Sequence, residues 1–217
     1  MISSVSEDGP LLFQHANVDF EVLLETLLSY RGYYAQTTST PAEALCRALV
    51  ANFLPTDVDE DGYAAAFRKW WSRNLARRME ALEKKLKGSG EYIVDLLEQL
   101  GLEQGWFPSP AEVRDAMFDG NGGDEPHVGF LDSVCHRLWP CRKFFRTSDG
   151  RFGVGPRGLT VSDEVWLLEG GKTPFILRRE PDGHSHRIIG EAYIHGVMHG
   201  ELVTPELISQ MGPVEII

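Results

Sequence analysis

At 217 residues, with 42% hydrophobic and 24% charged residues, the chain has the composition of a globular protein and room for one large domain or two small ones. A formal charge of −11 argues against a nucleic-acid surface, which needs clustered Lys and Arg. No apolar run approaches the roughly 20 residues of a membrane helix, no secretory leader is evident at the N-terminus, and three irregularly spaced cysteines (Cys46, Cys135, Cys141) make neither a disulfide framework nor a zinc site. These features predict a cytoplasmic protein with neutral thiols.

Residues 1–18 are polar and weakly patterned and read as a flexible or extended arm. From 20 to 30 the apolar positions Val22, Leu23, Leu27 and Leu28 recur at helical spacing, and Arg31-Gly32-Tyr33-Tyr34 breaks the pattern. Thr40-Pro41-Ala42-Glu43 is a helix start, with Thr as cap, Pro in the first turn and Glu at the third position. That helix is expected to end near Phe53-Leu54-Pro55. Asp57-Val58-Asp59-Glu60-Asp61-Gly62 is like the opening of a calcium loop, but the twelfth position, which needs a bidentate carboxylate, is Arg68. The acidic run is better read as the cap of a long helix starting near Tyr63 and passing Trp70, Trp71, Leu75, Met79, Leu82 and Leu86 to Gly88-Ser89-Gly90. The basic run at 73–87 includes Glu80 and Glu83 and reads as a solvated helical face. Further helices are expected at 92–100 and 111–118, a Gly/Asp/Pro loop at 119–129, and a short helix or strand at 130–138.

After Trp139-Pro140 the pattern changes to short β-type runs at 143–147, 152–154, 164–168, 175–178, 187–189 and 191–195, separated by turns such as Ser148-Asp149-Gly150 and Pro181-Asp182-Gly183. The fold class is α+β: a mainly helical region (19–140) packed on a β-rich region (141–217), the latter an antiparallel sheet or small barrel, in one integrated unit.

Continuous strand geometry from Ile188 to His195 puts Ile189, Glu191, Tyr193 and His195 on one face and Ala192 and Ile194 on the other. An acid, a phenol and an imidazole at alternate positions suit a cavity wall: His195 as general acid or base, Glu191 fixing its tautomer, Tyr193 donating to a developing oxyanion. The same residues equally suit a hydrogen-bond network that holds a turn, with Gly196 and Gly200 supplying tight backbone. Trp70, Trp71, Trp166 and Arg178 are candidate substrate-binding residues; adjacent helical positions point about 100° apart, so one of Trp70 and Trp71 can face a cleft while the other is buried. Arg178 is alternatively an ion-pair partner of Asp163 or Glu191. His184 and His186 flank a turn and read as solvated. No metal site and no cofactor are called for, and no nucleophile elbow, P-loop or dinucleotide fingerprint is present.

The blocks Arg142-Lys143-Phe144-Phe145-Arg146-Thr147 with Gly150-Arg151-Phe152-Gly153-Val154-Gly155-Pro156, then Ser162-Asp163-Glu164-Val165-Trp166-Leu167-Leu168-Glu169-Gly170, then Pro174-Phe175-Ile176-Leu177-Arg178, then Ile189-Gly190-Glu191-Ala192-Tyr193-Ile194-His195-Gly196-Val197-Met198-His199-Gly200-Glu201, resemble the C-terminal region of fungal heterokaryon-incompatibility (HET) proteins. His199 stands where that family usually has Asp, and Ser162-Asp163 where it has Gly-Asp. Nothing in the sequence resembles the family's N-terminal HET domain, so its death-inducing activity is not expected by the usual route. Two functions follow from the resemblance and the residues together. One is a cofactor-independent cyclase or isomerase of fungal secondary metabolism that binds an apolar small molecule in a cavity. The other is a non-catalytic recognition or regulatory module of incompatibility, with a protein partner.

Overall fold

The structure, a computed structural model, describes residues 2–5, 39–85, 94, 95, 97, 98, 105–118 and 126–217. The expected helix at 20–30, the break at 31–34, the stop at 88–90, most of the helix at 92–100 and the loop at 119–125 lie outside them.

A short strand, β1 (Ile2–Val5), precedes the helical half, which holds α1 (Pro41–Leu49), α2 (Glu60–Lys85), α3 (Pro110–Phe118) and α4 (Pro126–Leu138). Thr40 caps α1 as read from the sequence, its Oγ1 accepting the Glu43 N–H at 3.2 Å. The helix stops at Leu49, sooner than expected. Ala51 and Asn52 take left-handed φ values of 49° and 56°, and the Asn52 N–H closes back on the Arg47 carbonyl at 2.8 Å. Asp59 accepts the Gly62 N–H at 2.9 Å, so the acidic loop does cap α2, and Arg68 pairs with Glu112 at 3.4 Å. Ser109 and Glu112 form a reciprocal capping box at the start of α3. Residues 126–129, assigned to a loop from their composition, are the first turn of α4. Pro126 suits that turn, and Val128, Leu131 and Cys135 recur on one buried face.

The second half forms two four-stranded sheets in the orders β1-β2-β3-β7 and β4-β5-β6-β8. Their strands are β2 (Arg142–Thr147), β3 (Phe152–Pro156), β4 (Glu164–Trp166), β5 (Phe175–Arg179), β6 (Ser185–Glu191), β7 (Tyr193–Ile194) and β8 (Glu215–Ile216). All pair antiparallel except β6 with β8. The architecture is α+β, with the described strands in two open sheets rather than a closed barrel. A last helix, α5 (Pro205–Gln210), and β8 follow in a stretch that carries little apolar periodicity; α5 is capped by Thr204 and buries none of its residues.

The first sheet is the middle of three layers. Successive residues of β2 point to opposite faces, so Phe144 joins Phe152, Val154 and the helices in one core, while Phe145 joins Leu159, Ile176, Ala192, Ile194 and Val197 in a second. The glycines of Phe152-Gly153-Val154-Gly155 make room for the Phe145 ring. A Cβ on Gly153 would lie 2.5 Å from Phe145 Cζ and 2.7 Å from the Tyr193 carbonyl oxygen. The helical core is built on Trp71, fully buried with its ring 4.6 Å from that of Phe107, and on Phe67 and Leu75.

Strand β6 does not run on smoothly into β7. Ile176 pairs with Gly190 but Leu177 with Ile188, so Ile189 is an extra residue in the ladder, a bulge. Gly190 has φ of 147°, and a Cβ there would lie 2.7 Å from Pro156 Cγ. The Ala192 N–H then leaves the ladder for the Pro174 carbonyl, and the chain crosses from the second sheet to the first. No described helix is long and apolar enough to cross a membrane.

Candidate functional site

The crossing between sheets decides what becomes of the face predicted from 188 to 195. Glu191 is the last residue of β6, paired with Phe175 in the second sheet and exposed, with its carbonyl accepting from Arg142 at 2.7 Å, whereas Tyr193 belongs to β7 in the first sheet. Tyr193 and His195 do come together. The Tyr193 hydroxyl lies 3.1 Å from His195 Nδ1, and His195 Nε2 lies 3.1 Å from the Ser39 hydroxyl just ahead of α1. A hydroxyl both donates and accepts, so a neutral imidazole is satisfied here in either tautomer. Burial lowers the His195 pKa to about 4, and the nearby Arg47 charge adds to that, against the opposing pull of Glu43 and Glu201. Burial likewise pushes the Tyr193 phenol well above its ordinary value. His195 is therefore a neutral link between the first sheet and the helical half.

Arg47, one helical turn from Glu43, is the charged centre beside that link. Its Nε meets Glu43 at 2.7 Å, its Nη2 meets Glu60 at 2.7 Å and its Nη1 donates to Asn52 at 3.2 Å. The guanidinium carbon sits 5.6 Å from the Trp106 ring and 6.0 Å from that of Tyr63. The side chain is nearly buried, and its charge is answered on each edge of the fork. This cluster ties the end of α1 to the start of α2.

The other expected residues are dispersed. Trp70 and Trp71 are both buried, so neither faces a cleft: the indole of Trp70 donates to Asp132 at 2.7 Å, and that of Trp71 to the Cys46 sulfur at 3.4 Å. Arg178 grips Asp163 with two hydrogen bonds, Nε to Oδ1 at 2.8 Å and Nη2 to Oδ2 at 2.9 Å, and reaches the Gly158 carbonyl at 2.8 Å. Asp163 is 1% exposed and also accepts the Thr160 N–H at 2.8 Å; Ser162 before it has φ of 76°, the left-handed conformation that glycine adopts more readily. His186 is buried rather than solvated, packed edge-on to Trp166 at 5.1 Å, and neither ring nitrogen makes a hydrogen bond to a described residue. Its Nε2 is 3.6 Å from Glu164. Among the described residues no group of three or more His, Cys, Asp and Glu side chains could hold a metal ion. Cys46 and Cys135 are buried, whereas Cys141 is exposed.

Trp166 alone of the expected set lines a large cleft, of about 960 Å³. Four segments build it: the β2–β3 turn with Thr147, Asp149 and Arg151; the end of β4 and its continuation with Val165, Trp166, Leu167 and Glu169; Ile194, Val197 and Leu202; and the C-terminal stretch from Leu207 to Ile216. Glu164 holds the Trp166 indole N–H at 2.9 Å and Arg179 at 3.1 Å, which orients the ring. The floor is apolar, and Asp149 and Arg151, joined at 2.8 Å, mark a polar end. The tail residues that close the cleft carry no strong signal in the sequence; the exposed apolar run of Ile208, Met211 and Ile216 is the feature that could have pointed to it.

Residues 125–208 match the family described as the Het-6 beta-barrel domain. Heterokaryon incompatibility protein 6, OR allele, of Neurospora crassa is 35% identical over 60 residues, which is 27% of this chain and 9% of that protein. This chain thus matches less than a tenth of the length of that curated relative. No solved structure matches. Over residues 125–208, then, this chain is similar to the Het-6 beta-barrel domain, and over 60 residues to a fungal heterokaryon-incompatibility protein.

Proposed function

We propose that this chain is a non-catalytic recognition module of the heterokaryon-incompatibility kind, working in the cytoplasm, with the cleft around Trp166 as its binding surface. The observation that carries the reading is the separation between cleft and chemistry. The cleft is apolar and large, while the imidazole and phenol best suited to proton transfer lie outside it, buried and bonded to each other and to Ser39. A neutral histidine held on both nitrogens is a poor general base, whereas an apolar cleft beside exposed Ile208, Met211 and Ile216 suits binding.

A second reading, a cofactor-independent cyclase or isomerase of secondary metabolism, draws on the same cleft, whose volume falls within the range that encloses small molecules. Under it the substrate is apolar, and Asp149 and Arg151 are the polar groups within reach; His195 and Tyr193 would act only after release from Ser39.

Pairing two otherwise identical fungal strains, one of which expresses the chain, separates the readings. The recognition reading expects viability of fused cells to change with the chain present, and that change to disappear with Trp166→Ala while His195→Gln leaves it intact. A new metabolite that depends on the chain, with no effect on fusion, would sink the recognition reading in favour of the enzyme.

A further inference from the structure

We propose that the cleft selects a small amphiphile with an apolar body and a cationic head, the head meeting Asp149 and Glu169. This inference rests on the cleft being a binding surface, and it adds the class of ligand.

The apolar requirement comes from the lining: Val165, Trp166, Leu167, Ile194 and Val197 offer a floor with little to bond a polar group. The charge requirement comes from the polar end. Three charged side chains line the cleft, Asp149, Arg151 and Glu169. Arg151 is 7% exposed and already engaged, with Nε 2.8 Å from Asp149 Oδ2 and Nη1 3.2 Å from the Gly196 carbonyl. A ligand anion would meet a guanidinium that is nearly buried and already paired with Asp149. The Asp149 side chain is 57% exposed, so its carboxylate stays open to the cleft while it holds Arg151 and accepts from Thr147. Glu169 is exposed and makes no ion pair with a described residue, and Lys172, three positions on, does not line the cleft. The charged lining thus comprises an Asp149–Arg151 pair and one carboxylate, Glu169, outside it, so its formal balance is negative. A cation gains there and an anion is repelled. Trp166 adds to the preference, because an indole face attracts an ammonium group and gives a carboxylate nothing.

The test is calorimetric titration of the full chain with three probes that share a twelve-carbon tail, dodecyltrimethylammonium, dodecanol and dodecanoate, each below its micelle-forming concentration. The ammonium probe is expected to bind about tenfold more tightly than the carboxylate, with a preference that shrinks as salt rises. Glu169→Gln should weaken the ammonium probe several-fold and leave dodecanol unchanged; Asp149→Asn is the second variant, checked for fold by circular dichroism because Asp149 also holds Arg151. Met211→Trp, at a half-exposed cleft wall, should weaken all three probes. Dodecanoate binding as tightly as the ammonium probe, or ammonium binding untouched by both carboxamide variants, overturns the charge selection while leaving the cleft a binding surface. If no probe binds, or binding ignores Met211→Trp, both the ligand class and the recognition reading built on this cleft fall.

Discussion

The hydroxyl of Tyr193 lies 3.1 Å from Nδ1 of His195, and the far nitrogen of the same ring lies 3.1 Å from Ser39, so one imidazole joins β7 to the lead-in of α1. Its pKa of about 4 lies below the roughly 6.5 of an exposed histidine. The folded chain therefore binds fewer protons than the unfolded chain between these values. The stability that the neutral ring contributes is complete above about pH 6.5 and is lost as pH falls towards 4, on the order of 2–3 kcal/mol in all. Urea midpoints measured from pH 7.5 down to 4.5 should drop, and drop less in His195→Gln. Identical slopes in the two proteins would refute the assignment.

Asp163 is buried, and Arg178 supplies both its strongest hydrogen bonds. Removing the guanidinium leaves a buried carboxylate short of donors, at a cost of about 2 kcal/mol or more. Arg178→Ala should lower the melting temperature by several degrees, and Arg178→Lys should restore less than half, since an ammonium cannot span both oxygens. Full rescue by Lys would show that charge alone matters there.

Gly153→Ala is expected to cost about 1–3 kcal/mol by overpacking, because the new methyl meets both the Phe145 ring and the Tyr193 carbonyl. Phe145→Leu in the same chain should relieve only part of that loss, since the backbone oxygen stays in place. Thermal melts of the two variants decide it.

Trp71 and Trp166 should behave oppositely. Trp71→Phe removes part of a fully buried ring and its contact with Phe107, and should lower the melting temperature without changing ligand affinity at the cleft. Trp166→Ala should abolish binding of the ammonium probe with a smaller effect on melting. Denaturation curves and titrations on the same preparations read both effects.

Of the three thiols, Cys141 is exposed, while burial raises the Cys135 pKa to about 12 and Cys46 is enclosed by the helical core. An aromatic disulfide reagent at pH 8 should titrate about one thiol per native chain quickly, and all three only in denaturant.

Helix caps were legible from sequence because their chemistry is local: Thr40 with Glu43, and Asp59 with Gly62, act over three residues. Strands β2 to β7 were legible in approximate position for the same reason, through turns such as that at Asp149-Gly150, whereas β1 and β8 were not. The grouping of Glu191 with Tyr193 and His195 was not, because it needs one unbroken strand, whereas β6 ends at Glu191 in the second sheet and the chain crosses at Ala192 into the first. Ser39 was out of reach as a partner of His195, since 156 residues separate them. His186 reads as polar beside a turn, yet β8 pairs directly with it and Trp166 packs on its ring. Only the tertiary arrangement reveals that burial.

Strand β7 is two residues long, and its two side chains serve opposite rooms. Ile194 forms part of the cleft wall, while Tyr193 packs on the helical side and holds His195. The same two backbone positions therefore belong at once to the cleft wall and to the bonded chain that reaches Ser39 and α1, on opposite faces of the central sheet.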